Sequence, residues 1–233
     1  MSVKTRDGQR EALDGLEQLV ESSHRDKVAF PIDFVRDRSV EGGRSPLSQM
    51  IEGGRGQVRL SLYLCLTLKA ARSPFDITKK SPMAWRWARI LGLPDPDAAG
   101  ARRVHRALEW LHVHRLIEVT PRPGYGPRIQ MLSPTGDGSP YQRPIEQGRY
   151  ISLPVAFWSN GWILDLSAIG TAVLMALMEL DGGRDPRQEG PRHIDAQHAH
   201  GVFVLGNAVE DTANPGFLDI QADGRSQRRQ QKR

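Results

Sequence analysis

One stretch of the sequence decides the fold: Gly100-Ala101-Arg102-Arg103-Val104-His105-Arg106-Ala107-Leu108-Glu109-Trp110-Leu111. Its apolar residues recur in steps of three and four, at Ala101, Val104, Leu108 and Leu111, which is the spacing of an amphipathic helix. The three arginines lie off that face, so they point to solvent or to a partner. The sequence therefore predicts a helix with a basic outer surface.

The residues after this helix predict a β-hairpin. A β-branched run at 116–120 precedes a turn rich in Pro and Gly, and a second apolar run follows at 129–132. The turn reads Pro121-Arg122-Pro123-Gly124-Tyr125-Gly126-Pro127. Helix, strand, basic turn and strand are the order of a winged helix, whose helix enters a DNA groove and whose turn forms the wing. An arginine-rich helix face alone is more often a solvated surface, but Arg122 and Arg128 beside the turn favour DNA.

Positive charge is concentrated around the predicted recognition helix. The chain of 233 residues has a formal net charge of +5, whereas residues 57–133 hold thirteen basic and five acidic side chains, a net charge of +8. A local basic excess on a small module is typical of a protein that binds a polyanion. A chain of this length can bury the core of one large or two small domains.

Several other classes of protein fit the sequence poorly. The single cysteine, Cys65, lies among leucines, so we expect a core residue and no disulfide. The first residues lack the apolar segment of a secretory signal, and charged and small residues interrupt the longest apolar run, at 163–180. No phosphate-binding loop, serine elbow or Cys/His pair is evident. We expect a soluble, cytoplasmic protein that is not an enzyme, with no cofactor, membrane or evident small-molecule ligand.

The sequence before the basic module predicts one helix and a linker. Leucines at helical spacing across 9–22 are separated by acidic residues, which indicates an amphipathic helix. Periodicity does not distinguish packing on its own domain from pairing with a second copy of the chain, so a homodimer through 9–22 is an open alternative. Residues 30–35 resemble a short strand, and the Arg-, Gly- and Ser-rich segment 36–56 is predicted to be a loop.

Two further helices are predicted within the basic module. Residues 58–68 alternate as a strand would, but leucine and alanine favour helix and no Gly or Pro interrupts them, so we predict a buried helix. Ser81-Pro82 is a helix start, with Ser as the N-cap and Pro at the first helical position, and Gly92-Leu93-Pro94 is the end of that helix. Arg86 and Arg89 lie outside its core face.

The sequence beyond the hairpin predicts a linker and a second ordered segment. Residues 133–149 are rich in Ser, Pro and Gly, and order resumes at 150–154. Ser167 can cap a helix that runs to Leu180. The predicted inward residues of this helix are Ile169, Val173, Ala176, Leu177 and Leu180. In position and character this helix is similar to the one at 58–71, which predicts the first helix of a second winged-helix unit.

The order of these motifs resembles a group of actinobacterial winged-helix proteins of the replication-initiator-like or MarR-like kind. The motifs that carry the resemblance are Val58-Arg59-Leu60-Ser61-Leu62-Tyr63, Ala84-Trp85 to Leu93, Gly100-Ala101-Arg102-Arg103 to Trp110-Leu111, and Tyr150-Ile151-Ser152-Leu153-Pro154 to Gly161-Trp162. It spans roughly residues 55–185. The resemblance implies two tandem winged helices on one chain, with double-stranded DNA as the partner.

The sequence departs from this resemblance after residue 185. A second winged helix requires a basic amphipathic helix and a wing there, but residues 187–213 have no helical period, and we expect an incomplete second module. A shifted reading frame between about 187 and 213 is one hypothesis for this segment, which the codons of the gene would test. His193, His198 and His200 have a ligand-like spacing, but no rigid element holds them, so we do not predict a metal site.

These observations define the predicted organisation. The fold is mainly α with small β wings: a winged helix-turn-helix followed by an incomplete second winged-helix module. The segments are an N-terminal helix and linker at 1–56, the DNA-binding domain at 57–133, a linker at 134–149, the start of the second module at 150–186, and an irregular, partly disordered basic tail at 187–233. The predicted DNA contacts are Arg86, Arg89, Arg102, Arg103, His105, Arg106, Arg122, Tyr125 and Arg128.

The predicted function is sequence-specific binding of double-stranded DNA, as a transcriptional regulator or a plasmid-type replication initiator. The alternative is a non-catalytic protein-interaction scaffold built on a winged helix.

Overall fold

The computed structural model describes residues 3–36, 44–54, 56–78, 81–146 and 148–182. This part of the chain is mainly helical with small antiparallel sheets, which confirms the predicted content of helix and strand. The predictions for the tail at 187–233, for the histidines at 193–200 and for a frame shift lie outside the described residues.

The described helices are α1 Val3–Ser23, α2 Ile32–Val35, α3 Pro46–Ile51, α4 Gln57–Lys69, α5 Ala84–Ile90, α6 Ala101–Val113, α7 Ala156–Ser159, α8 Trp162–Asp165 and α9 Ala168–Gly182. The described strands are β1 Lys27–Pro31, β2 Asp76–Ile77, β3 Ile117–Thr120, β4 Arg128–Met131 and β5 Tyr150–Pro154. These elements share one hydrophobic cluster, which includes residues from Leu16 in α1 to Ala176 in α9.

Helix α4 lies in the middle of that cluster. Every residue from Leu60 to Leu68 is buried, which confirms the prediction of a buried helix over the alternating pattern of a strand. Tyr63 stacks on Phe34 with ring centroids 5.4 Å apart. Cys65 is fully buried, as predicted, and burial raises the pKa of its thiol to about 12. A thiol in this setting stays protonated at neutral pH and acts as a small apolar side chain.

Helix α1 confirms the predicted N-terminal helix and uses its apolar face within the chain. Leu16 and Leu19 are buried, and a Cβ at Gly15 would lie 2.9 Å from Cγ1 of Ile90, so α1 and α5 cross closely at this glycine. Pairing of two chains through 9–22 remains a prediction, and it would have to use the outer, charged face of α1.

Two local predictions in the N-terminal segment are wrong. The segment 36–56 was predicted to be a loop, yet it contains α3, whose Leu47 and Met50 are fully buried. Ser45 caps this helix by accepting a hydrogen bond from the backbone N–H of Ser48 at 3.2 Å. The strand predicted at 30–35 ends at Pro31 and becomes α2. Short elements of this kind are set by tertiary packing, which local composition does not encode.

Strand β5 pairs antiparallel with β1, with Leu153 opposite Val28. Because these strands are far apart in sequence, the pairing joins the segment after the predicted linker to the N-terminal segment. The predicted linker at 134–149 also packs against the fold: Tyr141 is buried and its ring lies 4.9 Å from that of Phe75. The structure thus builds residues 150–182 into the same core as the basic module.

Helix α9 begins after Ser167, whose Oγ accepts a hydrogen bond from the Gly170 N–H at 3.0 Å, and this confirms the predicted cap. Of its five predicted inward residues, Ala176 is buried as predicted and Leu180 is partly buried, but the other three are wrong. Ile169, Val173 and Leu177 are exposed, whereas the buried positions are Ala168, Thr171, Ala172, Met175, Ala176 and Glu179. Nearly every position of this helix is apolar, so the sequence carries no periodicity that selects a face. Small alanines let the helix approach its neighbours closely.

Candidate nucleic-acid interface

Helix α6 places its residues as the sequence predicted. Val104, Ala107, Leu108 and Leu111 are buried, and Arg102, Arg103, His105 and Arg106 are exposed. At 100° per residue, Arg102 and Arg106 lie almost opposite the buried face, with Arg103 and His105 on its two flanks. None of the three arginines forms an ion pair with a carboxylate of the described residues. The helix therefore presents to solvent three guanidinium groups that no carboxylate of the described residues neutralises.

One turn of π-helix, Pro96–Gly100, fixes α6 against α5. Asp95 adopts a left-handed conformation, with φ of 47°, and its carboxylate accepts a hydrogen bond from the Ala99 N–H at 2.9 Å. Gly100 is buried at the start of α6, where a Cβ would lie 3.0 Å from the Cβ of Ala88 and 3.1 Å from Asp95 O. Only glycine lets the two helices approach this closely without a shift. This close approach is the physical reason for a glycine at position 100.

The predicted hairpin is present and belongs to a three-stranded sheet. Strands β3 and β4 pair antiparallel, with Val119 opposite Ile129. Strand β2, which was not predicted from the sequence, pairs with the other edge of β4, so the strand order is β2-β4-β3. With only two residues, β2 is too short to give an alternating pattern.

The turn between β3 and β4, which we call the wing turn (residues 121–127), carries an exposed aromatic ring beside an arginine. Tyr125 exposes 70% of its surface, and the Arg122 guanidinium lies 5.3 Å from the centre of its ring. Arg122 Nη1 also donates a hydrogen bond to Thr78 O at 2.8 Å. Arg122 thus holds the wing turn against the β2 segment, while the Tyr125 ring stays open to a partner.

The wing turn packs against the chain that leads into α5. Ser81 Oγ donates a hydrogen bond to Pro127 O at 2.5 Å, and Gly126 lies so close to Ser81 and Pro82 that a Cβ would be 2.7 Å from Pro82 O. Ser81 was predicted to be the N-cap of α5, and this is wrong: the helix begins at Ala84 after Met83. The Ser81 hydroxyl bonds to the wing instead of to the helix, so the wing turn and the start of α5 form one surface.

Two of the predicted contacts are neutralised by carboxylates. Arg89 bonds to Glu11 at 3.1 Å and to Asp97 at 3.2 Å, and these carboxylates, Asp97 first, raise its pKa. Arg128 lies 3.6 Å from Asp76 and is half exposed. The structure gives Arg89 a role in joining α1, α5 and the turn before α6, which a helical pattern could not reveal. Arg86 is exposed at the start of α5, with no ion pair among the described residues.

An aromatic stack near the end of α6 was not predicted from the sequence. The His114 ring stacks on Trp110 with centroids 3.6 Å apart, and the Arg59 guanidinium lies 4.9 Å from the centre of the Trp110 ring. His114 Nδ1 is 2.8 Å from Trp110 O, and His112 Nδ1 is 3.2 Å from Ile117 O. His112 and His114 therefore each have a backbone partner, although His112 is exposed like His105.

The described residues also bear on metal binding and on membrane insertion. Within the described ranges, no three His, Cys, Asp or Glu side chains gather as metal ligands do. No helix there combines the length and the apolar composition that crossing a bilayer requires.

Comparison with protein-family models, with curated proteins and with solved structures gave no match. The function of this chain is therefore inferred from its own geometry.

Proposed function

We propose that the protein binds double-stranded DNA as a winged helix, with α6 as the recognition helix and the wing turn on the adjacent backbone or minor groove. The observation that carries this proposal is the outward face of α6, where Arg102, Arg103 and Arg106 have no carboxylate partner among the described residues. The order α4, β2, α5, α6, β3, β4 and the sheet order β2-β4-β3 are compatible with a winged helix. The resemblance to replication-initiator-like and MarR-like proteins supports the same partner.

Guanidinium groups suit this role for a physical reason. Arg donates two parallel hydrogen bonds to O6 and N7 of guanine, and each such contact contributes about 1–3 kcal/mol of discrimination. The N-terminal part of a recognition helix enters the groove most deeply, which puts Arg102 and Arg103 nearest to base edges. Arg86 and Tyr125 lie on the neighbouring elements and are suited to phosphate contacts, which fix the register but carry no sequence information. Arg128 would have to leave Asp76 to make such a contact.

The experiment begins with selection of bound sequences from a random duplex pool. Affinity for the selected duplex and for an unrelated duplex is then compared between the wild type and the double variant Arg102→Ala/Arg103→Ala. We expect specific affinity to fall by roughly 5- to 150-fold for each arginine–guanine pair removed, with a much smaller decrease on the unrelated duplex. Replacement of Arg10 and Arg149, which are exposed on other elements, by Ala is the matched control for charge.

The dependence on salt separates DNA binding from the alternative function. The logarithm of DNA affinity falls linearly with the logarithm of salt concentration, with a slope of about −0.9 for each phosphate neutralised. An equal decrease of specific and unspecific affinity in the double variant would reduce Arg102 and Arg103 to phosphate contacts. A protein with no measurable duplex affinity at low salt would contradict the proposal.

The alternative, a protein-interaction scaffold, has one observation in its favour. Ile169, Val173 and Leu177 follow each other at intervals of four along α9 and expose 45%, 42% and 41% of their surfaces. A row of apolar side chains on one helix is a typical contact surface for another protein. This surface lies on an element other than α6 and the wing turn, so it is compatible with DNA binding by the same chain.

A further inference from the structure

A cavity of about 350 Å³ opens between the turn that joins α1 to β1, the end of α4 and the segment 141–145. This volume falls within the usual range for small-molecule sites. The side chains that matter for its chemistry are Arg25, Lys27, Arg72, Arg143, Tyr141 and Ile145. None of them belongs to the predicted DNA contacts.

Arg25 is the fixed cation of this cavity. Its guanidinium donates hydrogen bonds to carbonyls at and just beyond the end of α4, with Nη2 at 2.8 Å from Ala71 O and Nη1 at 3.3 Å from Thr67 O. Burial lowers the pKa of Arg25, the Tyr141 hydroxyl raises it, and the nearby positive charge of Arg143 lowers it further. An arginine remains charged in spite of such effects. Two guanidinium groups therefore repel each other across this cavity.

Basic side chains outnumber acidic ones among the described residues that line the cavity. Lys27, Arg72 and Arg143 are exposed, and none forms an ion pair with a carboxylate in the part of the chain that the structure describes. Asp26 is the single acidic side chain among the described residues that line the cavity, against four basic ones. A multiply charged anion would relieve this repulsion, because charge-assisted hydrogen bonds from arginine are strong where two or more converge.

The walls of the cavity suit an organic group attached to the anion. Ala29, Ala71, Pro144 and Ile145 line it together with the charged side chains. Ile145 exposes 51% of its surface, and the Arg143 guanidinium lies 5.9 Å from the centre of the Phe75 ring. An apolar wall beside converging cations is a common arrangement in sites for small organic ligands.

The cavity lies at the end of the hairpin opposite to the wing turn. Phe75 precedes β2, and its carbonyl accepts a hydrogen bond from the N–H of Met131, the last residue of β4. Thr78, on the other side of β2, bonds to Arg122 in the wing turn. The segment 71–75 is therefore at the base of the sheet, whereas DNA bound by α6 and the wing would lie at its tip.

We propose that this cavity binds a small organic molecule that carries a phosphate group and has about the size of a nucleotide. A phosphomonoester carries roughly −1.5 to −2 charges at neutral pH, which matches several guanidinium groups better than the single charge of a carboxylate does. The phosphate contacts Arg72 and Arg143 at the mouth, Arg25 forms the wall behind them, and the organic part lies on Ile145 and Pro144. This inference does not depend on DNA binding.

Calorimetric titration of the full chain with adenosine monophosphate, pyrophosphate and adenosine tests the proposal. Saturable binding is expected for the first two probes and not for adenosine, which lacks the phosphate. The double variant Arg72→Ala/Arg143→Ala should weaken binding by roughly 10- to 150-fold for each of the two arginines removed, since each hydrogen bond to a charged group contributes about 1.5–3 kcal/mol. Arg25 is left in place because it caps α4. Arg10→Ala, on the far part of α1, is the matched control and should bind the probes as the wild type does.

Three results would overturn the proposal. The first is the absence of saturable binding by both phosphate probes. The second is an equal decrease of affinity in Arg10→Ala, which would reduce the effect to net charge. The third is a decrease of duplex DNA affinity in the Arg72/Arg143 double variant without any binding of the two probes, which would make the cavity a contact for the DNA backbone. If α6 does not bind DNA, the titrations of the wild type, the double variant and Arg10→Ala with the phosphate probes still decide the proposal.

Discussion

Substitution of Gly126 by Ala is the most direct test of how the wing is held. A Cβ at this position would lie 2.7 Å from Pro82 O and 2.8 Å from Pro82 C, and closer still to Ser81 O. All three are backbone atoms, so no rotation of a side chain can relieve the clash. The wing turn has to move away from the segment before α5.

The cost follows from the clash and from the hydrogen bond that the movement breaks. Overpacking of this kind costs about 1–3 kcal/mol. Separation of the wing turn also breaks the hydrogen bond from Ser81 Oγ to Pro127 O, a contribution of about 1 kcal/mol. We therefore expect the free energy of unfolding to fall by about 2–4 kcal/mol, on the sum of these two effects.

The same substitution should weaken DNA binding without removing a charge. A displaced wing loses its contacts with DNA phosphates. Since these contacts do not depend on sequence, affinity should fall to a similar extent for the specific and the unrelated duplex. The slope of log affinity against log salt should become shallower by about 0.9 for each phosphate that the wing no longer reaches. Urea denaturation gives the unfolding free energy, and fluorescence anisotropy at several salt concentrations gives the slope.

Gly124→Asn is the matched control within the wing turn. No heavy atom lies within 4 Å of a Cβ at Gly124, and its φ of 75° is one that asparagine tolerates. This variant should stay close to the wild type in both measurements. An unchanged unfolding free energy in Gly126→Ala would refute the docking of the wing on Ser81 and Pro82, and equal effects of the two variants would assign the result to the turn itself.

The remaining predictions concern stability. Gly100→Val should lower the unfolding free energy by about 1–3 kcal/mol, because its Cβ would crowd Ala88 and Asp95 O. Gly8→Ala, in open space on α1, should instead raise the unfolding free energy by about 0.5–1 kcal/mol. If urea denaturation gave changes of the same sign for both variants, the close packing at Gly100 would be contradicted. The backbone N–H of Ser139 lowers the pKa of Asp137, and the Ser139 hydroxyl adds to this effect. A lowered pKa stabilises the fold above the unfolded pKa of about 3.9, and this stabilisation disappears as pH falls through the folded value. Asp137→Ala should therefore be less stable than the wild type at pH 7, and the difference should disappear as pH falls through the lowered pKa of Asp137. A difference that does not change with pH would show that the carboxylate is not its cause.

The local sequence pattern was sufficient to predict a helix and its buried face where one face is apolar and the other is charged. Helix α6 is such a case, because Val104, Leu108 and Leu111 recur at helical spacing while Arg102 and Arg106 do not. The hairpin after it was predictable because Pro and Gly punctuate the turn between two apolar runs. The outward position of the arginines, on which the proposed function depends, was thus available from the sequence.

The sequence pattern gave wrong predictions where contacts with residues distant in sequence determine the local structure. The exposed side of α9 depends on which of its apolar residues meet the rest of the core, and the sequence of that helix offers no contrast between its faces. Ser81 is equally able to cap a helix or to bond a carbonyl, and the approach of Pro127 decided between these.

The amino-acid sequence by itself determined a basic amphipathic helix, a buried leucine-rich helix and a basic turn between two strands, because each of these is a matter of spacing along a short segment. Tertiary structure alone decided that β1 pairs with β5, that Arg89 is neutralised by Glu11 and Asp97, and that Arg25, Arg72 and Arg143 surround one cavity. These arrangements join residues far apart in sequence, and they follow from burial of a common core that no local segment encodes.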